Sequence, residues 1–237
     1  MTTPAPLPLA DQGEAAGLAA FLSRLLRFDR AAAVRLQAVR AGGGAEGGGA
    51  GGVVLAVFGR LPLGGTGVLA VRSVRLGADA PEFDLTVSAG QLLDGLDEAA
   101  DELRLPAAVT GPAWAGLLPP RTGWERIAET AAAEVAPELA AAIEEFKQRS
   151  AEVPEHHHSR SVLEGLADEI WSRPLTAAPG LPLRAAHAAQ VIGFLAPGGP
   201  VTAHRSGAWL RLGTPAGSVA LRAAAAPGAG LGLSPLR

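Results

Sequence analysis

The residues with the clearest chemical potential lie near the C-terminus. Ser206-Gly207, between two alternating apolar runs, reads as a two-residue hairpin turn. That turn sets Arg205 opposite Ala208, His204 opposite Trp209 and Thr202 opposite Arg211. Successive strand residues point to opposite faces, so Thr202, His204, Trp209 and Arg211 share one surface. Val201, Ala203, Leu210 and Leu212 take the other. A following strand extends the division, with Val219 and Leu221 on the apolar side and Arg222 on the polar side. Two guanidinium groups beside an imidazole and an indole suit an anion, a ring or a protein side chain, and His204 has the chemistry of an acid or base. The same pattern also describes a solvated sheet face carrying an arginine stacked on a tryptophan.

Three further segments carry candidate chemistry. Trp114, Arg121 and Trp124 fall within a Pro/Gly-rich loop, and tryptophan and arginine are favoured at binding hot spots. The bland alternative puts Trp124 at the start of a helical apolar stripe and Trp114 at a core edge. His156, His157 and His158 are consecutive, and imidazoles bind transition metals. Consecutive residues do not share a helical face, however, and a tetrahedral site would need a distant fourth ligand. The run 42–52, GGGAEGGGAGG, lacks the Lys-Ser/Thr of a phosphate-binding loop and reads as a flexible insert.

Other catalytic inventories are thin. There is no GxSxG, and no cysteine to supply a nucleophile, a disulfide or a thiolate ligand. Asp94, Asp97, Glu98 and Asp101 have the spacing of an exposed acidic helix face. No cofactor is expected.

Positioning these residues requires an α+β fold. The periodicity predicts a helix over about 14–28, then strands over about 32–40, 53–60 and 68–76 in an antiparallel meander. A short extended piece follows at 83–87, then a helix over about 89–102 opened by a Ser88/Gln91 capping box, and an edge strand over about 103–109. The middle reads as helical. Thr122 and Glu125 cap a helix with the stripe Trp124, Ile127, Ala131, Val135, Leu139, Ile143, Phe146, in which Pro137 marks a kink or a division. A second helix starts at Ser161, and a last one covers about 183–195. Three strands end the chain. The expected architecture is therefore two three-stranded antiparallel meanders, N- and C-terminal, each preceded by a helix, with a helical segment between. A pseudo-two-fold arrangement would put both meanders in one sheet. Residues 1–12 read as a disordered tail and 13–237 as one domain, with possible halves 13–110 and 111–237.

Composition sets the outer bounds. The 237 residues carry a formal net charge of −3, which argues against a nucleic-acid partner. No stretch approaches the roughly 18 apolar residues of a membrane span. The lack of a secretory leader pattern and of cysteine favours a cytoplasmic location. Abundant Ala, Gly, Pro and Arg, with Lys147 as the single lysine, is the mark of a GC-rich bacterial genome. The leading expectation is a non-catalytic interaction or scaffold protein, with a homodimer as one form of it, because the helical stripes outnumber what one small sheet face covers. The alternative is a small-molecule (anion) binder or enzyme using the Thr202/His204/Trp209/Arg211 face.

Overall fold

The fold is that of a computed structural model, which describes residues 5–40, 52–65, 67–109, 118–157 and 159–223. It is α+β and built on an antiparallel sheet of eight strands. From the N-terminal half come β2 (Ala33–Arg40), β3 (Val53–Leu61), β4 (Val68–Leu76) and β5 (Phe83–Ser88). From the C-terminal half come β8 (Glu125–Ala131), β9 (Pro200–Ser206), β10 (Trp209–Thr214) and β11 (Gly217–Arg222). The order across the sheet is β5-β2-β3-β4-β11-β10-β9-β8. The halves join along β4 and β11, where Ser218, Val219 and Ala220 pair with Val71, Ala70 and Leu69.

Strand alternation gives the sheet one apolar face. Val34, Leu36, Val53, Leu55, Val57, Val201, Ala203, Leu210, Leu212, Val219 and Leu221 are all buried on it. Helix α1 (Gln12–Phe28) lays Leu18, Phe21, Leu22 and Leu25 against this face, the i, i+3, i+4, i+7 stripe read from the sequence. Each such leucine, fully buried, contributes about 1.5–3 kcal/mol. Gly59 in β3 permits the approach, since a Cβ there would lie 2.7 Å from Leu25. Helix α5 (Leu183–Val191) packs close through small residues, Ala185, Ala186, Ala188 and Ala189. Phe21 and Phe194 stack at 5.8 Å and tie the two halves into one core. Helices α3 (Ala132–Ala151) and α4 (Arg160–Trp171) cover the remainder.

Several expectations are corrected. The N-terminal residues from Ala5 to Asp11 do not fray. Leu7–Pro8 forms β1 against β7 (Glu102–Leu103), Leu7 and Leu9 are buried, and Asp11 caps α1 by accepting from the Glu14 amide. The helix expected over 89–102 stops after one and a half turns, as α2 (Ala89–Asp94). Asp97 accepts the amides of Ala99 and Ala100 at 3.1 Å, and Asp101 takes φ +53°, so the acidic residues turn the chain into β6 (Leu96–Asp97) and back. The expected edge strand over 103–109 shrinks to β7; beyond it, the Val109 amide donates to Thr86 at 2.8 Å. Residues 125–131 form β8 instead of the first turns of a helix. The open edge of β9 satisfies their backbone groups, with a bulge between Arg126 and Ala128. Helix α3 starts at Ala132 and holds Pro137 without dividing.

Candidate functional site

The C-terminal hairpin turns one residue later than expected. Ser206 pairs with Trp209, so Gly207 and Ala208 make the turn, and Gly207 takes φ +54° at the position where glycine is needed. His204 therefore faces Arg211, and Thr202 faces Gly213. Each partner moves by two residues, an even number, so the division between faces is unchanged.

Thr202, His204 and Arg211 line a cleft of about 440 Å³ where β11 ends and β4 continues past it. Arg72 and Ser73 of β4, Thr214 and Ser218 complete its polar wall. The guanidinium of Arg211 lies 4.2 Å over the ring of Trp124 and makes no ion pair among the described residues. Burial lowers its pKa. His204 is also lowered, first by burial and then by the positive charges of Arg211 and Arg126, so the imidazole is neutral at neutral pH. Its Nδ1 is buried without a hydrogen-bond partner among the described residues. Arg72 donates through Nη1 to the carbonyl of Ala216, with its nearest carboxylate, Glu14, at 3.7 Å. Glu14 is engaged more closely by Arg75, at 2.7 Å. The cleft thus carries the Arg211 charge beside a neutral imidazole, with the Thr202 and Thr214 hydroxyls donating to the Gly213 and Gly217 carbonyls, while the Arg72 guanidinium points to the opposite, helix-covered face.

Sequence reasoning missed Arg72, yet the signal was present. In Val68-x-Ala70-x-Arg72-x-Val74 the alternation places a guanidinium among inward-facing apolar side chains. A charge at such a position requires a special surrounding.

The other candidates disperse. Trp209 lies farther along the same face with Arg222 5.8 Å over its ring, outside the cleft. Trp124 precedes β8 and donates its indole N–H to the Pro120 carbonyl at 2.7 Å, so it is neither a helical core residue nor free. Arg121 is exposed and close enough to Asp84 to help hold that carboxyl below its usual range, after the larger effect of Arg35. Trp114, His158 and residues 42–51 of the glycine run lie outside the described residues. His156 and His157 sit in an exposed 3-10 turn with ring centroids 4.3 Å apart. Among the described residues, no group of three or more His, Asp or Glu side chains is placed to hold a metal ion. No described helix is long and apolar enough to cross a membrane.

Residues 2–116 match a family described as Domain of unknown function (DUF8010), and residues 119–226 match one described as Domain of unknown function (DUF8185). No curated protein and no solved structure matches the chain. The two matched regions meet between β7 and β8. The cleft therefore takes Arg72 and Ser73 from the first region and Thr202, His204 and Arg211 from the second.

Proposed function

We propose that this chain is a binding protein of a bacterial cytoplasm for a small molecule carrying an oxyanion, phosphate or carboxylate, held in the cleft between β4 and the C-terminal hairpin. The observation that carries the reading is Arg211, partly desolvated on Trp124, beside Nδ1 of His204, neither with a partner of opposite kind among the described residues. A partly desolvated cation gains from a counter-charge, and a bound anion supplies one. The cleft volume falls within the range of small-ligand sites, and junctions between domains commonly hold them. Neutral His204 accepts a proton more readily once an anion is bound, so binding tightens as pH falls.

We read the sheet as pseudo-two-fold. β2, β3 and β4 are matched by β9, β10 and β11 about the β4–β11 seam, with β5 and β8 as the outer strands. The cleft then lies beside the seam. The expectation of a protein partner or second copy rested on uncovered helical stripes. Among the described residues the exposed large apolar side chains are Phe28, Val109 and Val162, on separate segments, which does not favour that reading.

The test is a titration of inorganic phosphate followed by calorimetry and by thermal stabilisation. Saturable binding is expected, weakened on the order of tenfold or more in Arg211→Gln, as loss of one charge-assisted hydrogen bond implies. With sulfate, whose own charge is constant over this range, binding should tighten from about pH 8 to about pH 6 in the wild type and not in His204→Gln. Equal stabilisation of the wild type and Arg211→Gln by phosphate would overturn the reading.

A further inference from the structure

A second and larger cleft, about 790 Å³, opens on the helical side of the molecule between the β3–β4 turn and helices α3, α4 and α5. Its chemistry differs from that of the sheet-face cleft. One wall is aromatic: His187 stacks on Trp171 with centroids 4.0 Å apart and planes 10° apart, and Phe146 lies 6.2 Å from Trp171. Leu63 and Ala167 continue the apolar lining. Burial, and then Arg184, lower the pKa of His187 and keep the ring neutral. Its Nδ1 is buried with no hydrogen-bond partner among the described residues. Polar atoms left so in a wall of aromatic rings mark a place where a polar group is wanting.

The rim sets Arg60, Lys147, Arg160 and Arg184 against Asp29, Glu164 and Asp168, and its cations are partly uncommitted. Arg184 is paired with Asp168 at 2.6 Å and Arg160 with Glu164 at 2.7 Å. Lys147 is only loosely held, 3.6 Å from Glu144. Arg60 is exposed at the cleft mouth and makes no ion pair among the described residues. Both matched regions contribute, Arg60 and Leu63 from the first and the helices from the second.

From this arrangement we infer that the helical cleft binds a planar aromatic anion, its ring against Phe146 and the His187–Trp171 stack and its acidic head at Arg60 and Lys147. Phe146 and Trp171 already contact each other in tilted geometry, so a further ring would pack on the exposed side of Phe146 and the edge of the His187–Trp171 stack. The free guanidinium supplies the bidentate contact that a carboxylate or sulfonate accepts. This site shares no lining residue with the sheet-face cleft, so the two readings stand or fall separately.

The probe is 8-anilinonaphthalene-1-sulfonate, titrated into the full chain and followed by its fluorescence. Saturable binding at one site per chain is expected. Arg60→Glu, a surface change, should weaken it about tenfold or more. Ala167→Phe, which fills the cleft, should abolish it while circular dichroism and melting confirm a folded protein. N-phenyl-1-naphthylamine, which has the same rings without the sulfonate, should bind at least about tenfold more weakly. Arg211→Gln and excess inorganic phosphate should leave the titration unchanged. Unaltered affinity in Arg60→Glu, or equal binding of the two dyes, overturns the inference. Should Ala167→Phe fail to fold, the Arg60→Glu comparison decides alone.

Discussion

Arg211 gains one contact from the fold, its cation–π stack on Trp124. It is partly desolvated and has no carboxylate partner among the described residues. Replacing an unpaired, partly buried charge by an apolar side chain of similar length is often neutral or stabilising. Arg211→Met, which still packs on Trp124, should therefore melt at the same temperature as the wild type or higher while losing phosphate affinity. Calorimetry and a melting curve on one sample check both halves. Gly217 makes the opposite case. A Cβ there would stand 2.5 Å from the ring of Phe194, which is itself pinned against Phe21. Gly217→Ala should cost about 1–3 kcal/mol, as overpacking of a filled core does, and denaturant unfolding reads it directly.

At the scale of elements, α3 and α4 are joined by a closed ring of four charges. Arg149 grips Glu169 at 2.7 and 2.8 Å, and Arg173 grips Glu145 at 2.6 and 2.8 Å. Cross contacts of 3.2 and 3.3 Å complete the ring. The Arg149 hydrogen bonds, assisted by Arg173, pull the Glu169 carboxyl down to about 2. All four groups face solvent, so the ring is open to screening by salt. Glu169→Gln should lower the melting temperature slightly in dilute buffer and by less in molar salt; a loss independent of salt would assign Glu169 another role. The sequence made elements legible where periodicity and partner agreed. The four-residue stripe of α1 and the alternation of β4 both have a core waiting for them. It misled where one pattern served two structures. Trp124, Ile127 and Ala131 fit a helical stripe as well as a strand, and only the free edge of β9, distant in sequence, selects the strand. Asp97 and Asp101 hid a turn inside helical spacing because a carboxylate capping its own backbone looks like a surface charge. The candidate face was legible for a simple reason. A register error of two preserves sidedness, so the grouping of Thr202, His204 and Arg211 was insensitive to the misplaced turn. Arg72 was missed because its contribution depends on β4 meeting β11, a pairing between residues far apart in the chain.

For the whole molecule, His187 and His204 set the response to mild acid. Both are held below the ordinary imidazole value, so near and below pH about 6.5 the unfolded chain takes up protons that the folded chain refuses. Stability contributed by the neutral imidazoles is complete above that pH and declines as pH falls through it. A second decline follows at lower pH, as Asp84, Glu145 and Glu169, all depressed by arginines, are protonated. Denaturant midpoints measured across pH should show both steps, and His187→Gln with His204→Gln should remove the first alone. The seam between β4 and β11 has a consequence for how such a chain can be divided. Only three residue pairs cross it in the sheet, against nine between β3 and β4. Cut between Val109 and Leu118, each fragment would keep a complete four-strand ribbon but bare one backbone edge and half of the Phe21–Phe194 contact. Produced separately, the fragments should self-pair and precipitate; produced together, each should blunt the other's edge and reconstitute a soluble heterodimer. The seam would then serve as a ready-made split point for reporting the proximity of two proteins fused to its halves.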